Sequence, residues 1–303
     1  MSSGPLRSWL FVPGDSERKQ AKALESAADA LILDLEDSVA APQLPAARQR
    51  VRELLASRRG AARQELWVRV NSYASGLLQQ DLAEVLPASP HGIVLPKAAS
   101  GAEVARIGHD LAALEARHGM PRGSTKLLVI ATETPAAVLH LGDYADDLSS
   151  EPETRQRLAG LTWGAEDLSA ALGVTEKTDT AGSLSFTFRL ARSLCVLSAA
   201  ALGIAAIDGV YLDFRDPQGL RHEIEAARRE GFSGKLAIHP SQVELINTAF
   251  LPGPAEIEWA RRIVAAFAGA PEAGVVSVEG RMIDRPHLVQ ARRVLAMADL
   301  EAN

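Results

Sequence analysis

Short apolar runs alternate along the chain with longer stretches whose apolar positions recur every three or four residues. Runs of the first kind read as strands buried on both faces, and stretches of the second kind as amphipathic helices laid over them. The strand segments are Ser8–Gly14, Ala30–Asp37, Leu66–Asn71, Gly92–Lys97, Lys126–Thr134, Gly160–Asp167, Asp208–Phe214 and Lys235–Pro240. Helices are predicted over Ser16–Ala27, Pro45–Arg58, Gly76–Leu86, Gly101–His118, Pro135–Tyr144, Ser185–Leu202 and Gly219–Glu230, with Gln242–Phe250 after the last strand. In the fourth helix Val104, Ile107, Leu111 and Leu114 make one apolar stripe. Ser16 and Ser241 stand where N-caps belong, and Gly203 and Gly231 where glycines stop helices. Eight strand–helix units in succession predict an α/β fold, a closed (β/α)8 TIM barrel rather than an open sheet.

About sixty residues follow Pro240. They predict a helix over Glu256–Ala268, a short strand over Gly274–Val278 and a last helix over Pro286–Ala298. This divides the chain into a barrel catalytic domain, 1–250, and a C-terminal lid or oligomerisation extension, 251–303. A tail this short is poorly placed to carry a core of its own, so packing on the barrel or on a neighbouring subunit is expected.

Composition narrows the partners. The 303 residues are 47% hydrophobic and 23% charged, with a net charge of −6 and no basic block. Nucleic acid and anionic membrane surfaces are therefore excluded as partners, although a local basic patch can still hold a phosphate. The single cysteine, Cys195, lies in an apolar run and reads as core rather than nucleophile. With no leader-like N-terminus and no run near the ~18 apolar residues of a membrane span, a soluble cytoplasmic protein is expected.

The chemistry lies where barrel strands end at their C-terminal side. Strand two ends in Asp34, Glu36 and Asp37, three carboxylates that read either as a solvated strand end or as partners of a cation or an arginine. Glu133 and Asp167 end strands five and six, neighbours about 4.8 Å apart, so both can reach one ion. All-oxygen ligation by two carboxylates suits Mg2+, with Mn2+ as a substitute, and leaves room for a chelating substrate. Asp34, Glu36 and Asp37 would then hold the metal's waters. The bland reading makes Glu133 and Asp167 helix caps. Zinc does not fit, since no His or Cys pair has ligand spacing. Arg69, inside Val68-Arg69-Val70-Asn71, points into the barrel either as a clamp on a substrate anion or as a salt-bridge partner of strand two. His239 reads as a base or as a supporting hydrogen-bonder, and Gly14 and Gly164 as turn glycines or points of backbone approach to a ligand.

With these residues in place, the chain resembles the HpcH/HpaI aldolase and citrate lyase β-subunit superfamily, in its CitE-like branch with the malyl-CoA and citramalyl-CoA lyases. The matching stretches are Arg7–Gly14, Leu33–Val39, Val68–Ser72, Leu95-Pro96-Lys97, Glu133-Thr134, Gly164-Ala165-Glu166-Asp167, Gly234–Pro240 and Gly280–Asp284. The resemblance implies Mg2+ at Glu133 and Asp167, a catalytic Arg69 that also contacts substrate, and a catalytic Asp284 in the tail. Substrate contacts are implied at Pro13, Gly14, Lys97, Gly164, Ala165 and Glu166. It further implies a homo-oligomer, such as a trimer, in which the tail closes over an adjoining subunit. The implied substrate is a CoA thioester that yields a small 2-oxo acid, or a citryl thioester on an acyl carrier protein. Arg18 and Lys19 read as contacts for the thioester's phosphates or as a solvated helix face. Two departures stand out: Trp163 where relatives carry Phe, and Ala171 where they often carry an acid.

Overall fold

The computed structural model describes residues 6–58, 63–180 and 182–299. Eight parallel strands close on themselves in chain order, the last pairing with the first. They are β1 (Ser8–Pro13), β2 (Ala30–Asp34), β3 (Glu65–Arg69), β4 (Gly92–Leu95), β5 (Lys126–Ile130), β6 (Leu158–Thr162), β7 (Ala205–Asp208) and β8 (Gly234–Ala237). The helices between them are α1 (Glu17–Leu24), α2 (Leu44–Arg58), α3 (Leu78–Val85) and α4 (Gly101–Arg117), followed by the short α5 (Pro135–His140), α6 (Tyr144–Asp147) and α7 (Pro152–Arg157). Then come α8 (Ala165–Leu172), α9 (Phe186–Leu202) and α10 (Pro217–Glu230). The (β/α)8 TIM barrel is the fold.

Strand alternation sorts the side chains. Trp9, Ile32, Trp67, Val94, Leu128, Ile207 and Leu236 form one buried cluster fed from seven strands, which is the barrel interior. Trp9 and Trp67 meet edge to face at 4.9 Å. Gly92 makes room for this pair, because a Cβ there would lie 2.2 Å from the Trp67 ring. Arg69 and Asp34 share the parity of Trp67 and Ile32, so both face inward at the top of the barrel.

Several strands end earlier than their apolar runs. β2 stops at Asp34 because its carboxylate accepts the backbone N–H groups of Glu36 and Ser38, bending the chain into a turn. β6 stops at Thr162, and Ala165 opens α8, a helix absent from the sequence reading. Glu166 and Asp167 therefore stand in the first turn of α8, where carboxylates favour the helix dipole, and not at a strand end. β7 lies upstream of its predicted span. Asp208 is its last residue, and Asp213 is an exposed loop acid. Ser16 occupies an N-cap position without a side-chain bond. Ser241 lies inside a 3-10 turn capped by His239, with α11 (Val243–Ala249) following. Ser100, Thr134 and Asp216 cap α4, α5 and α10 through their side chains.

The chain divides within α11 into two compact units, the barrel through Ile246 and a second beginning at Asn247. The second holds α12 (Pro254–Ala268), a hairpin of β9 (Val275–Val278) and β10 (Arg281–Asp284), and α13 (Arg285–Asp299). It has its own small core, with Ile263 and Phe267 of α12 against Ile283 and Leu288. That corrects the expectation of a coreless tail: the unforeseen β10 pairs with β9 and supplies the missing apolar face. No described helix is long and apolar enough to cross a membrane.

Candidate active site

Arg69 is fixed first. Its Nε and Nη2 donate to the two oxygens of Asp34 at 2.6 and 2.8 Å, a bidentate clamp, and its guanidinium lies 4.7 Å above the Phe11 ring. The salt bridge to strand two is thus present. Asp34 spends its oxygens on Arg69 and on two backbone N–H groups, which makes it the holder of Arg69. Burial pushes the Asp34 carboxyl up, but the Arg69 bonds outweigh it and leave the pKa below its ordinary value. Arg69 Nη1 lies 3.1 Å from Glu36 Oε2 and 3.5 Å from Asp37. That Glu36 oxygen is buried and no donor is aligned with it for a hydrogen bond.

Lys97 holds the other side. Its Nζ lies 2.5 Å from Glu36, 3.2 Å from Asp167 and 3.5 Å from Asp37, while its backbone N–H donates to Glu133 Oε2 at 2.5 Å. The residue has φ +53°, the left-handed region, and conformations of this kind in a non-glycine residue cost about 1–3 kcal/mol. Both ends of the residue hold acids in return for that strain.

Glu133 is 3% exposed. Burial, then the charges of Asp167 and Glu36, push its carboxyl up to about 8, against the lowering effect of the Lys97 N–H. Asp34, Glu36, Asp37, Glu133 and Asp167 place five carboxyl groups around two cations, Arg69 and Lys97. Such a set is short of positive charge, offers only oxygen, and fits a divalent hard cation. Among the described residues no group of three or more His, Cys, Asp or Glu is arranged to hold a metal ion by itself. Two carboxylates leave most positions to water and substrate, so an open site is the form this set can take.

Glu133, Asp167, Arg69, Gly164, Ala165 and Glu166 line a chamber of about 140 Å³ whose apolar walls include Phe11, Ile130 and Trp163. A larger cavity of about 670 Å³ shares Phe11, Asp37, Arg69, Glu166 and Val210 with it, so the two adjoin. Pro13 and His239 line the larger one, and His239 is occupied by Ser241 at 2.7 Å and stacked on Phe214. Arg18, Lys19 and Lys22 also line it, exposed and without an ion-pair partner among the described residues. The first two had an open reading from sequence. Lys22 was missed, though its spacing of four from Arg18 signals one helix face.

Gly14 lines neither cavity. A Cβ there would meet the Asp34 carbonyl at 2.5 Å, so it serves the close approach of β1 to β2. Gly164 is a point of close approach to Glu133, where a Cβ would lie 2.7 Å from Cγ. Ala171 is exposed on α8. Asp284 belongs to the second unit, at the end of β10, where its carboxylate pairs with His287. That bond, foremost, holds its carboxyl below the ordinary range. His287 was also missed, and its sign in the sequence is the spacing of three from Asp284 at a helix start.

A parallel barrel with a carboxylate-rich pocket at the C-terminal ends of its strands, beside a cavity lined by basic side chains, is the architecture of a TIM-barrel enzyme. The sequence profile of the HpcH/HpaI aldolase/citrate lyase family matches residues 7–240. The chain is 36% identical to a (3S)-malyl-CoA thioesterase of Cereibacter sphaeroides, over 97% of this chain and 95% of that one. It is 34% identical to the mitochondrial citramalyl-CoA lyase of Mus musculus, over 97% and 86%. The crystal structure of CitE from Mycobacterium tuberculosis, in complex with magnesium, acetoacetate and coenzyme A, superposes with a TM-score of 0.75 at 35% identity, covering 98% of this chain and 99% of that one. The protein belongs to the HpcH/HpaI aldolase/citrate lyase family and is a lyase-class enzyme.

Proposed function

We propose that the protein is a Mg2+-dependent carbon–carbon lyase that cleaves, or forms, a 3-hydroxyacyl-CoA thioester of the malyl-CoA or citramalyl-CoA type. The products of cleavage are acetyl-CoA and glyoxylate or pyruvate. The observation that carries this reading is the pairing of Glu133 and Asp167 in the small chamber, next to a clamped Arg69 and a cavity with a basic mouth. Glu133 and Asp167 are the metal's protein ligands in this reading. A bound ion would supply Lewis acidity to the reacting end of the substrate.

The chain's own residues do the rest. Cleavage begins with transfer of the substrate hydroxyl proton to the Asp284 carboxylate; the bond between the hydroxyl-bearing carbon and the thioester's α-carbon breaks, and its electron pair passes to the acetyl enolate. Arg69, which commits two of its five N–H donors to Asp34, keeps donors for the enolate oxygen. Lys97 holds Glu36 and Asp167 in place and limits repulsion while substrate is absent. Asp284 then returns that proton to the acetyl carbon, and in the condensing direction its carboxylate removes one. Asp284 starts as the carboxylate in either direction, and the His287 bond holds its carboxyl further below the ordinary range. This role needs the second unit of the same or a neighbouring subunit to close over the chamber, and a homo-oligomer is part of the proposal. Arg18, Lys19 and Lys22 meet the phosphates of coenzyme A, which favours CoA over a carrier protein as the acyl handle. The buried thiol of Cys195 suits a reducing cytoplasm.

The test is release of 2-oxo acid from malyl- and citramalyl-CoA with Mg2+, with Asp284→Asn alongside. Cleavage of one thioester, lost with EDTA and in the variant, supports the reading. Silence toward every CoA thioester by a metal-loaded protein overturns it. Similarity to the malyl-CoA thioesterase favours a second reading, hydrolysis to malate and free CoA. The products tell the two apart.

A further inference from the structure

The small chamber is lined by the charged groups Asp37, Glu133, Glu166, Asp167 and Arg69 and by the apolar side chains Phe11, Ile130, Trp163, Val210 and Leu236. On the lyase reading, on which this inference rests, the substrate carbon that carries the hydroxyl and the carboxylate binds at the charged groups. Its remaining uncharged substituent, hydrogen or alkyl, is left to the apolar side chains. Among these, Ile130 and Leu236 belong to the barrel core, Val210 packs against that core, and Phe11 is covered by Arg69. Trp163 is different: it lies past the end of β6 and precedes Gly164, the residue in closest approach to Glu133. It is therefore a wall at the level of the bound acid.

That wall is pinned from behind. The indole Nε1 donates to Asp208 Oδ1 at 2.7 Å, and Asp208 is fully buried. Asp208 is itself gripped by Arg192 at 2.9 Å and Lys235 at 2.7 Å. Gly209 leaves the indole its space, since a Cβ there would lie 3.2 Å from Nε1. A ring only 5% exposed and tied to a buried ion cluster cannot swing aside for a longer substituent.

We propose that Trp163 is a specificity-determining residue that sets the upper size of the 2-oxo acid half of the substrate, with Asp208 as its positioning residue. The experiment measures kcat/KM for thioesters bearing hydrogen, methyl or ethyl on the hydroxyl-bearing carbon, in wild type, Trp163→Ala and Trp163→Phe. In wild type the ethyl compound is the poorest substrate. In Trp163→Ala the ratio of ethyl to methyl rises by about 10–200-fold, the range for one methylene in an apolar pocket. In Trp163→Phe, which keeps most of the ring but loses the Asp208 bond, it rises about tenfold, at the lower end of that range. The Phe variant decides the matter if the Ala variant does not fold. A ratio unchanged in a folded variant overturns the proposal.

Calorimetry of glyoxylate, pyruvate and 2-oxobutyrate with Mg2+ separates this from failure of the lyase reading. If no thioester is cleaved, tighter binding of 2-oxobutyrate relative to glyoxylate in the variants still supports the size limit. Equal preference in wild type and variants, or no binding of any oxo acid, overturns it.

Discussion

Gly164→Ala tests the placement of Glu133 with one methyl group. The backbone at Gly164, φ −119° and ψ 114°, is open to any residue, so the substitution acts through space alone. The added Cβ would lie 2.7 Å from Glu133 Cγ, 0.7 Å short of the 3.4 Å at which contact becomes ordinary, and within 3.3 Å of Cδ and Oε1. Glu133 has little room to yield, being 3% exposed and bonded to the Lys97 N–H at 2.5 Å. Its carboxylate must move by several tenths of an ångström or give up that bond. Misplacement near 1 Å costs about 10²-fold in rate, so this smaller shift is expected to lower kcat/KM by about tenfold and by no more than about 10²-fold. Overpacking should lower stability by about 1–3 kcal/mol, too little to unfold the protein. The assays are Mg2+ titration by calorimetry, steady-state cleavage of the preferred thioester, and thermal unfolding as control. Unchanged Mg2+ affinity and rate in a folded Gly164→Ala protein would refute the argument that Glu133 is a placed ligand.

Other outcomes follow from the same geometry. Lys235→Met leaves Asp208 buried with Arg192 as its one charged partner and the Trp163 indole as a donor, and urea unfolding should show a loss of about 1–3 kcal/mol; a loss below 1 would mean the cluster relaxes easily. Burial raises the Asp208 carboxyl, but Lys235 and Arg192 bring it from 3.8 to about 2. Its folded pKa is depressed, so its contribution, about 2 kcal/mol, is full above pH 3.8 and disappears as pH falls toward 2. A urea midpoint at pH 2.5 no lower than at pH 5 would contradict that sign. Charge reversal at Lys22, Lys22→Glu, should raise KM for CoA thioesters several-fold with kcat nearly unchanged, an effect that shrinks in high salt; an unchanged KM would remove the basic mouth from the binding site. EDTA should abolish cleavage, and Mg2+ or Mn2+ should restore it; turnover that survives chelation would argue against metal dependence.

Sequence by itself determined the order and type of the elements. The two apolar periods, 2 and 3.6, are local properties that survive in any fold, and eight repeats of strand and helix leave few closed arrangements. It also marked Arg69, Glu133 and Asp167 as a set, because barrel chemistry gathers at strand ends whatever the sequence between them. Tertiary structure alone decided who holds whom. Asp34, one of three equivalent acids in the chain, became the holder of Arg69, while Glu36 was given to Lys97. Asp208 and Lys235 lie 27 residues apart and read as ordinary strand positions until β7 and β8 bring them together under α9 and α10. Trp163 gained its meaning only from that buried carboxylate. Pairings of this kind depend on distances across strands and between layers, which no local pattern encodes, and the strand ends moved for the same reason. The side-chain bonds of Asp34 and the helix that opens at Ala165 stopped β2 and β6 before their apolar runs gave out.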